Sequence, residues 1–377
     1  MAERKTNKKI RYAVVGIGSI AQEAVLPAFA NAENSELTAL VSGEDEKRAE
    51  LGKKYGVRHT YSYENYSRCL SSGEVDALYI ALPNHLHRTY AEQAAQAGIH
   101  ILCEKPLAQN ETECRKIIGA ARAGGVRLMT AYRLHFEPAN LDAVQTCESG
   151  KLGDLRIFHS AFCQQVAPGN VRLTNDVEHG GGPLFDMGIY CINAMRYLFR
   201  NEPVEVTAFH GSSGDPRFKK CEEMMSAVLR FPKDRLGSFT CSFGAASSGS
   251  YLVIGTKGTL ALDPAYDYNK DKHLTVTLDG KTDERIFKKS DQFGPELIYF
   301  SDCILNNREP EPSGEEGLAD VQIIEAVYRA ANSGRAVPIE AVHRKVRPEP
   351  SQEIFRPPVG EPELVGARMP SGTTKKS

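Results

Sequence analysis

A short apolar run, Tyr12-Ala13-Val14-Val15, leads without a break into Gly16-Ile17-Gly18-Ser19-Ile20-Ala21, and residues at helical spacing follow from Ala24 to Ala32. Strand, glycine turn and helix in that order leave few folds open. The first glycine permits the tight turn, the second lets a pyrophosphate approach the backbone, and Ala21 allows close packing of helix on strand. Phosphates would then sit at a helix N-terminus, where unpaired amides and the helix dipole favour anions. The segment therefore reads as a dinucleotide site formed by Gly16, Ile17, Gly18, Ser19 and Ile20. A glycine turn without a ligand is the competing reading of these residues alone.

The next strand, Leu37 to Val41, ends at Ser42-Gly43-Glu44-Asp45-Glu46-Lys47-Arg48. A site for NAD usually carries an acid at this point to hold the ribose 2′-hydroxyl. Ser42 stands there instead, with Lys47 and Arg48 a helical turn further on. A hydroxyl and two cations suit a 2′-phosphate, so NADP is the expected cofactor. Glu44 or Asp45 could reach the ribose if the turn is wider, and all four charges could equally begin a solvated helix.

Val75 to Leu82 reads as a buried strand followed by Pro83-Asn84-His85-Leu86-His87, a helix to about Ala97 and Gly98 as its cap. Asn84 and His85 are placed to line the cofactor crevice. Two histidines at i, i+2 without a third ligand do not make a metal site, and none is expected. Ile99 to Cys103 reads as a further buried strand that Pro106 stops. Glu104 and Lys105 thus stand at the carboxyl end of a strand, the edge where open α/β sheets bind ligands; a surface ion pair is the plainer alternative. A helix over Glu111 to Ala123 and a strand over Val126 to Ala131 complete an alternation typical of a doubly wound, mostly parallel sheet.

A chain of 377 residues exceeds what one core usually serves. Beyond Tyr132 the texture changes accordingly. Leu134 to Ser149 reads as a helix. After it come strands at Leu155–Cys163, Val204–His210, Met225–Phe231, Leu236–Phe243, Tyr251–Ile254, Leu274–Leu278 and Arg285–Lys288, without helices between most of them. That pattern predicts an open antiparallel sheet in an α+β domain. One helix, Pro183 to Phe199, falls within it, and two more, Gln292–Asn306 and Glu316–Asn332, close it. The expected division is a flexible N-terminus (1–9), a nucleotide domain (10–131), a substrate and assembly domain (132–340) and a Pro-rich tail (341–377) that is mobile or wraps a neighbour.

A net charge of −2 gives no reason to expect nucleic acid or an anionic membrane as partner. Nine cysteines without a C-x-x-C read as free thiols in a reducing compartment. The first residues lack the apolar core of an export signal, and no run approaches the length of a membrane span, so a cytoplasmic location is expected.

Gly180-Gly181-Gly182-Pro183-Leu184-Phe185-Asp186-Met187-Gly188-Ile189-Tyr190 marks a sharp helix start, with proline at the first helical position. Asp186 and Tyr190 stand four apart and share a face. A buried aspartate needs a partner, and a phenol beside it can move a proton. A satisfied core tyrosine is the alternative.

Gly16-x-Gly-x-x-Ala21, then Cys103-Glu104-Lys105-Pro106, then Gly181-Gly182-x-x-x-Asp186-x-Gly188-x-Tyr190 together resemble the Gfo/Idh/MocA oxidoreductases, above all the bacterial glucose–fructose oxidoreductase branch. Ala39–Gly43, Leu82-Pro83-Asn84, Tyr132–Pro138 and Ser313–Gly317 match as well, so the resemblance spans roughly residues 10 to 338. It implies a Rossmann doubly wound parallel sheet followed by an open-faced, mainly antiparallel β-sheet domain that makes dimers or tetramers. It implies NADP held by Ser42, Gly43 and Lys47, with Tyr63 near the adenosine and Leu82, Pro83, Asn84, His85, Glu104, Lys105 and Arg133 completing the site. Catalysis would fall to Lys105, Asp186 and Tyr190, with Tyr132 and Arg172 joining them around the sugar. Tyrosine at position 190, where many members have histidine, points to the sugar branch.

The resulting expectation is oxidation of a cyclic sugar at C1 to a lactone, with a second sugar reoxidising the bound cofactor. Tyr190 would take the C1 hydroxyl proton, and Lys105 would favour the ionised phenol. A simple sugar or polyol dehydrogenase with exchangeable cofactor is one alternative. A non-catalytic dinucleotide-binding regulator is another. The loop Gln164–His179 keeps Arg172-Leu173 but has no tryptophan, so the sugar itself is left open.

Overall fold

The structure, a computed structural model, describes residues 8–340, 342 and 347–370. Most of the N-terminus expected to be flexible, residues 1–7, and the tail residues 341, 343–346 and 371–377 lie outside them.

The first sheet comprises β1 (Ile10–Val15), β2 (Ser35–Val41), β3 (His59–Tyr61), β4 (Ala77–Ile80), β5 (His100–Glu104) and β6 (Leu128–Ala131). All pair in parallel, in the order β3-β2-β1-β4-β5-β6. Its central strands are apolar on both faces because helices cover both. Ala13 and Val15 pack into one core and Tyr12 and Val14 into the other. Strand order reverses between β1 and β4, so their carboxyl ends open a crevice, the usual ligand site of such sheets. Gly16 and Leu82 stand at its mouth.

The second sheet is nine-stranded. After β7 (Leu155–Cys163) come β8 (Glu205–Gly211), β9 (Met224–Phe231), β10 (Arg235–Ser242), β11 (Ser248–Gly255), β12 (Gly258–Asp263), β13 (Lys272–Leu278), β14 (Lys281–Phe287) and β15 (Val337–Pro338). Their order is β14-β13-β12-β11-β7-β10-β9-β8-β15. The pairings are antiparallel except β7 with β10, which gives the mainly antiparallel sheet that was expected, with one parallel pair inside it. One face, with Phe158, Leu229, Phe239 and Val253, packs under the helices Ile189–Phe199 and Gly314–Ser333. Among the described residues, no helix lies over the opposite face.

Several boundaries differ from the pattern in the sequence. β4 is shorter than Val75–Leu82 and begins after Asp76, whose carboxylate lies 2.8 Å from Arg11 Nη2. The helix expected from Leu134 begins at Pro138. Glu137 caps it by accepting from the amides of Ala139 and Asn140, and Arg133–His135 forms a separate single turn. β3 and β12 lack the long apolar alternation that would announce them. The Pro-rich tail runs along its own chain over residues 347–370. Arg347 enters a buried network at its start, with Nη2 2.6 Å from Glu202, which also holds the fully buried Arg196. Such a cation is tolerable only when paired, and Glu316 and Asp320 complete the pairing.

Candidate active site

The crevice and the second domain enclose a continuous cleft of about 1440 Å³. Its floor begins at Gly16, whose φ of +88° and lack of a side chain are both required: an added Cβ would stand 2.6 Å from the Ala81 carbonyl. At Gly18 an added Cβ would meet nothing within 4 Å, because that residue faces the open cleft. Ile17, Ser19 and Ile20 line the same wall. The helix after them starts with a widened turn over Ala21–Val25, and Gln22 braces the glycine loop by donating to the Ile17 carbonyl at 2.8 Å.

Ser42, Glu44, Lys47 and Tyr63 line one end. Gly43 packs on Tyr63, its absent Cβ position 3.3 Å from the ring. The Lys47 side chain is nearly buried and paired with Glu44. Arg48 turns away to the Ser42 carbonyl and Asp45, leaving Lys47 as the cation of this turn that faces the cleft.

At the other end stand Leu82, Pro83, Asn84, Glu104, Lys105 and Arg133. Asn84 donates to the Gly180 carbonyl at 2.8 Å and so fastens the crevice turn to the glycine-rich start of the second domain's helix. His85 lies at the rim, its ring 5.4 Å from that of His179, and does not line the cleft. Burial pushes the Glu104 carboxyl up despite neighbouring Lys105 and the Tyr79 hydroxyl, which donates at 2.8 Å.

Lys105, Asp186 and Tyr190 come together from the two domains. Lys105 Nζ donates to the Asp186 carbonyl oxygen at 2.8 Å and to Oδ1 at 3.2 Å. It lies 4.5 Å from the centre of the Tyr190 ring, over its face. Arg172 Nε holds the other Asp186 carboxylate oxygen at 2.6 Å. Burial pushes the Asp186 carboxyl up, but Arg172 and Lys105 outweigh it and hold the group below its ordinary value. Arg133 approaches the same tyrosine ring at 5.1 Å and donates to the Tyr266 carbonyl at 2.6 Å. Phe162 and Tyr266 complete the ring's surroundings. A widened helical turn over Leu184–Gly188 carries Asp186, so the simple i, i+4 relation to Tyr190 is modified, yet both side chains line the cleft.

Tyr132 is the expected substrate residue that the fold places elsewhere. It is 2% exposed and its hydroxyl donates to Asp320 at 2.5 Å, outside the cleft. The chain turns at this point so that Arg133, not its neighbour, points inward. Sequence reasoning also passed over Glu23, Tyr266, Tyr268 and residues 366–370, all of which line the cleft. Tyr268 donates to Glu23 at 3.0 Å across the domain boundary. Only long-range folding brings these segments there, and no local pattern marks them.

The arrangement sets an open glycine backbone, a cleft-facing lysine, and a phenol ring with two cations near it beside a paired carboxylate. The model for the "oxidoreductase family, NAD-binding Rossmann fold" matches residues 10–132, and that for the "GFO/IDH/MocA C-terminal domain" matches residues 140–261. A D-xylose 1-dehydrogenase [NADP(+)] of Haloarcula marismortui is 31% identical over 341 residues, covering 89% of this chain and 94% of that protein. The crystal structure of the aldose-aldose oxidoreductase of Caulobacter crescentus complexed with glycerol is 37% identical, with a TM-score of 0.84 over 88% of this chain and 100% of that one. A levoglucosan dehydrogenase in complex with NADH and L-sorbose shares the fold at 19% identity, with a TM-score of 0.77 over 89% of this chain and 100% of that one.

Proposed function

The chain belongs to the GFO/IDH/MocA oxidoreductase family, and from that membership we propose that it is an NADP-dependent enzyme oxidising a cyclic aldose at C1 to a lactone. The observation that carries the reading is the convergence of Lys105, Asp186 and Tyr190 from two domains on one cleft, with Lys105 Nζ 4.5 Å from the tyrosine ring. Sugar-acting relatives support the substrate class.

The residues present fit a dinucleotide. The open side of Gly18 suits a pyrophosphate laid against the backbone. Ser42 and Lys47, with Tyr63 beside them, suit a ribose 2′-phosphate, and this favours NADP. When bound, the dinucleotide supplies the acceptor for the C1 hydride. Tyr190, as the phenolate, accepts the C1 hydroxyl proton at its oxygen and becomes the phenol as that hydride leaves, and the carbon becomes a lactone carbonyl. Lys105 is held by Asp186 against the tyrosine and stabilises negative charge there, as a cation so placed must. Asp186 and Arg172 form a rigid pair that orients the sugar hydroxyls. Leu82, Pro83, Asn84, Glu104 and Arg133 wall the nicotinamide end.

The exposed face of the second sheet supports assembly. Ile157, Val228 and Leu236 are each 44% exposed and Phe209 is 77% exposed, all on the side without helices. A homodimer or homotetramer through this face covers them. Nine free, buried cysteines fit a reducing, cytoplasmic location. Among the described residues no helix is long and apolar enough to cross a membrane.

Turnover tests the reading directly. Purified protein with NADP or NAD is offered a panel of cyclic aldoses, nicotinamide reduction is followed by absorbance, and the lactone is trapped as its hydroxamate. NADP reduction with lactone formation is expected. Nucleotide binding without turnover of any sugar would instead favour the regulator.

A further inference from the structure

The tail crosses the mouth of the cleft. It leaves the buried Arg196–Glu202 network at Arg347, and Arg356 fixes its middle by pairing with Glu33 at 2.6 Å. The Glu363 carbonyl then accepts from Lys54 at 3.1 Å. At Val365 the backbone makes two bonds with one side chain: Gln22 Nε2 donates to the carbonyl at 2.9 Å, and the Val365 amide donates to Gln22 Oε1 at 2.7 Å. Gln22 is the residue whose Nε2 also braces the glycine loop at Ile17. Five residues later the Pro370 carbonyl accepts from Ala167 at 2.9 Å, on the loop of the second domain that borders the sugar side. Between these two fixed points Gly366, Ala367, Arg368 and Met369 line the cleft. Gly366 lies directly on Lys47, an added Cβ standing 2.9 Å from its Cε.

We propose that residues 354–370 form an intramolecular strap that completes the dinucleotide site and keeps NADP on the enzyme through successive turnovers. The inference rests on the oxidoreductase reading above and deepens it. A chain segment bonded to both lips of the cleft, and seated on the lysine that suits the ribose phosphate, obstructs the exit of a nucleotide lying beneath it. A nucleotide so held can be reoxidised in place by the carbonyl of a second sugar, which is reduced to an alcohol, and this separates a sugar–sugar oxidoreductase from a dehydrogenase that exchanges its cofactor with solution.

Release of bound NADPH, followed by loss of its fluorescence after challenge with excess NADP+, measures the effect. The full chain is compared with one ending at Gly360, which keeps the Arg347 and Arg356 anchors, and with the full-length Gly366→Val. A β-branched side chain at this positive φ, pressed on Lys47, should lift the strap locally. Release should accelerate on the order of tenfold or more in both variants, as affinity changes fall mostly on dissociation, and turnover should come to depend on added NADP. Should the truncated chain fail to fold, Gly366→Val decides alone. NADPH release as fast from the full chain as from the variants overturns the strap and leaves the oxidoreductase reading standing. Failure of the full chain to take up any dinucleotide overturns both.

Discussion

Two cations lie over the Tyr190 ring, and the nearer, Lys105, is itself tied to Asp186 on the tyrosine's own helical segment. Residues that act as one unit lose their contributions together, so their losses do not add. Tyr190→Phe and Lys105→Met should each lower kcat by ~10²-fold or more, the scale of general acid–base catalysis. The double variant should be little slower than the poorer single one. Steady-state rates with a saturating aldose and NADP check this, and near-normal turnover by Tyr190→Phe would remove the tyrosine from its role. A second residue gives a pH signature. Glu222 lies partly buried beside Tyr328, whose hydroxyl donates to it at 2.9 Å, and burial pushes its carboxyl from an ordinary 4.5 to about 7. The folded protein therefore binds this proton more tightly than the unfolded chain does. Its stabilising contribution is complete below about pH 4.5 and is lost as pH rises through about 7. Glu222→Gln keeps an acceptor for Tyr328 but cannot titrate, so its melting temperature should fall less than the wild type's between pH 5 and pH 8. A gap between the two that is constant with pH would count against the assignment.

At the scale of an element, the proposed preference for NADP rests on the turn after β2. That turn carries Ser42 where an acid would select NAD, and Lys47 one helical turn on, facing the cleft. Ser42→Asp should repel a 2′-phosphate and reverse or erase a preference for NADP, read as the ratio of the two dissociation constants. Equal affinity of the unaltered protein for NAD and NADP would show that Glu44, which pairs with Lys47, governs the turn instead. Elements with strong local signals were readable in advance. The helix Glu111–Ala123 announces itself through Asn110, which accepts from the Glu113 amide at 2.9 Å, and β7 through its length and its turns. β3 was not readable, because an edge strand of three residues has no apolar face to show. The widened turn over Leu184–Gly188 was not readable either, since the sequence around Asp186 and Tyr190 fits a regular helix equally well. At the site, the glycine loop, Lys105 and Asp186 followed from local pattern, whereas Tyr132 and Arg133, adjacent in sequence, could be told apart only by the direction in which the chain turns. The approach of residues 366–370 to Lys47 depends on contacts more than 300 positions apart in sequence, such as Gln22 to Val365.

At the scale of the whole molecule, the two sheets have different solvents. The parallel sheet is covered on both faces, whereas among the described residues the mixed sheet has helices on one face alone. On its other face Leu236 stands directly opposite Ile157, Val228 opposite Ser238, and Phe209 opposite Ser226, so the exposed apolar side chains lie on adjacent strands β7, β10, β9 and β8. Side chains alternate between faces along each strand, and none of these can turn inward without moving a core residue outward. Apolar side chains exposed on four adjacent strands of a folded domain are the kind of surface that a partner covers, which is the basis of the proposed assembly. A two-fold partner would apply the same strands to themselves and bury both copies of the patch at once. Sedimentation velocity at micromolar concentration should show a dimer or tetramer. Val228→Lys combined with Leu236→Lys, both at surface positions that the core does not use, should shift the protein towards monomer while its far-UV circular dichroism stays unchanged. A stable monomer for the unaltered chain at that concentration would leave the sheet face without its expected partner and rule the assembly out.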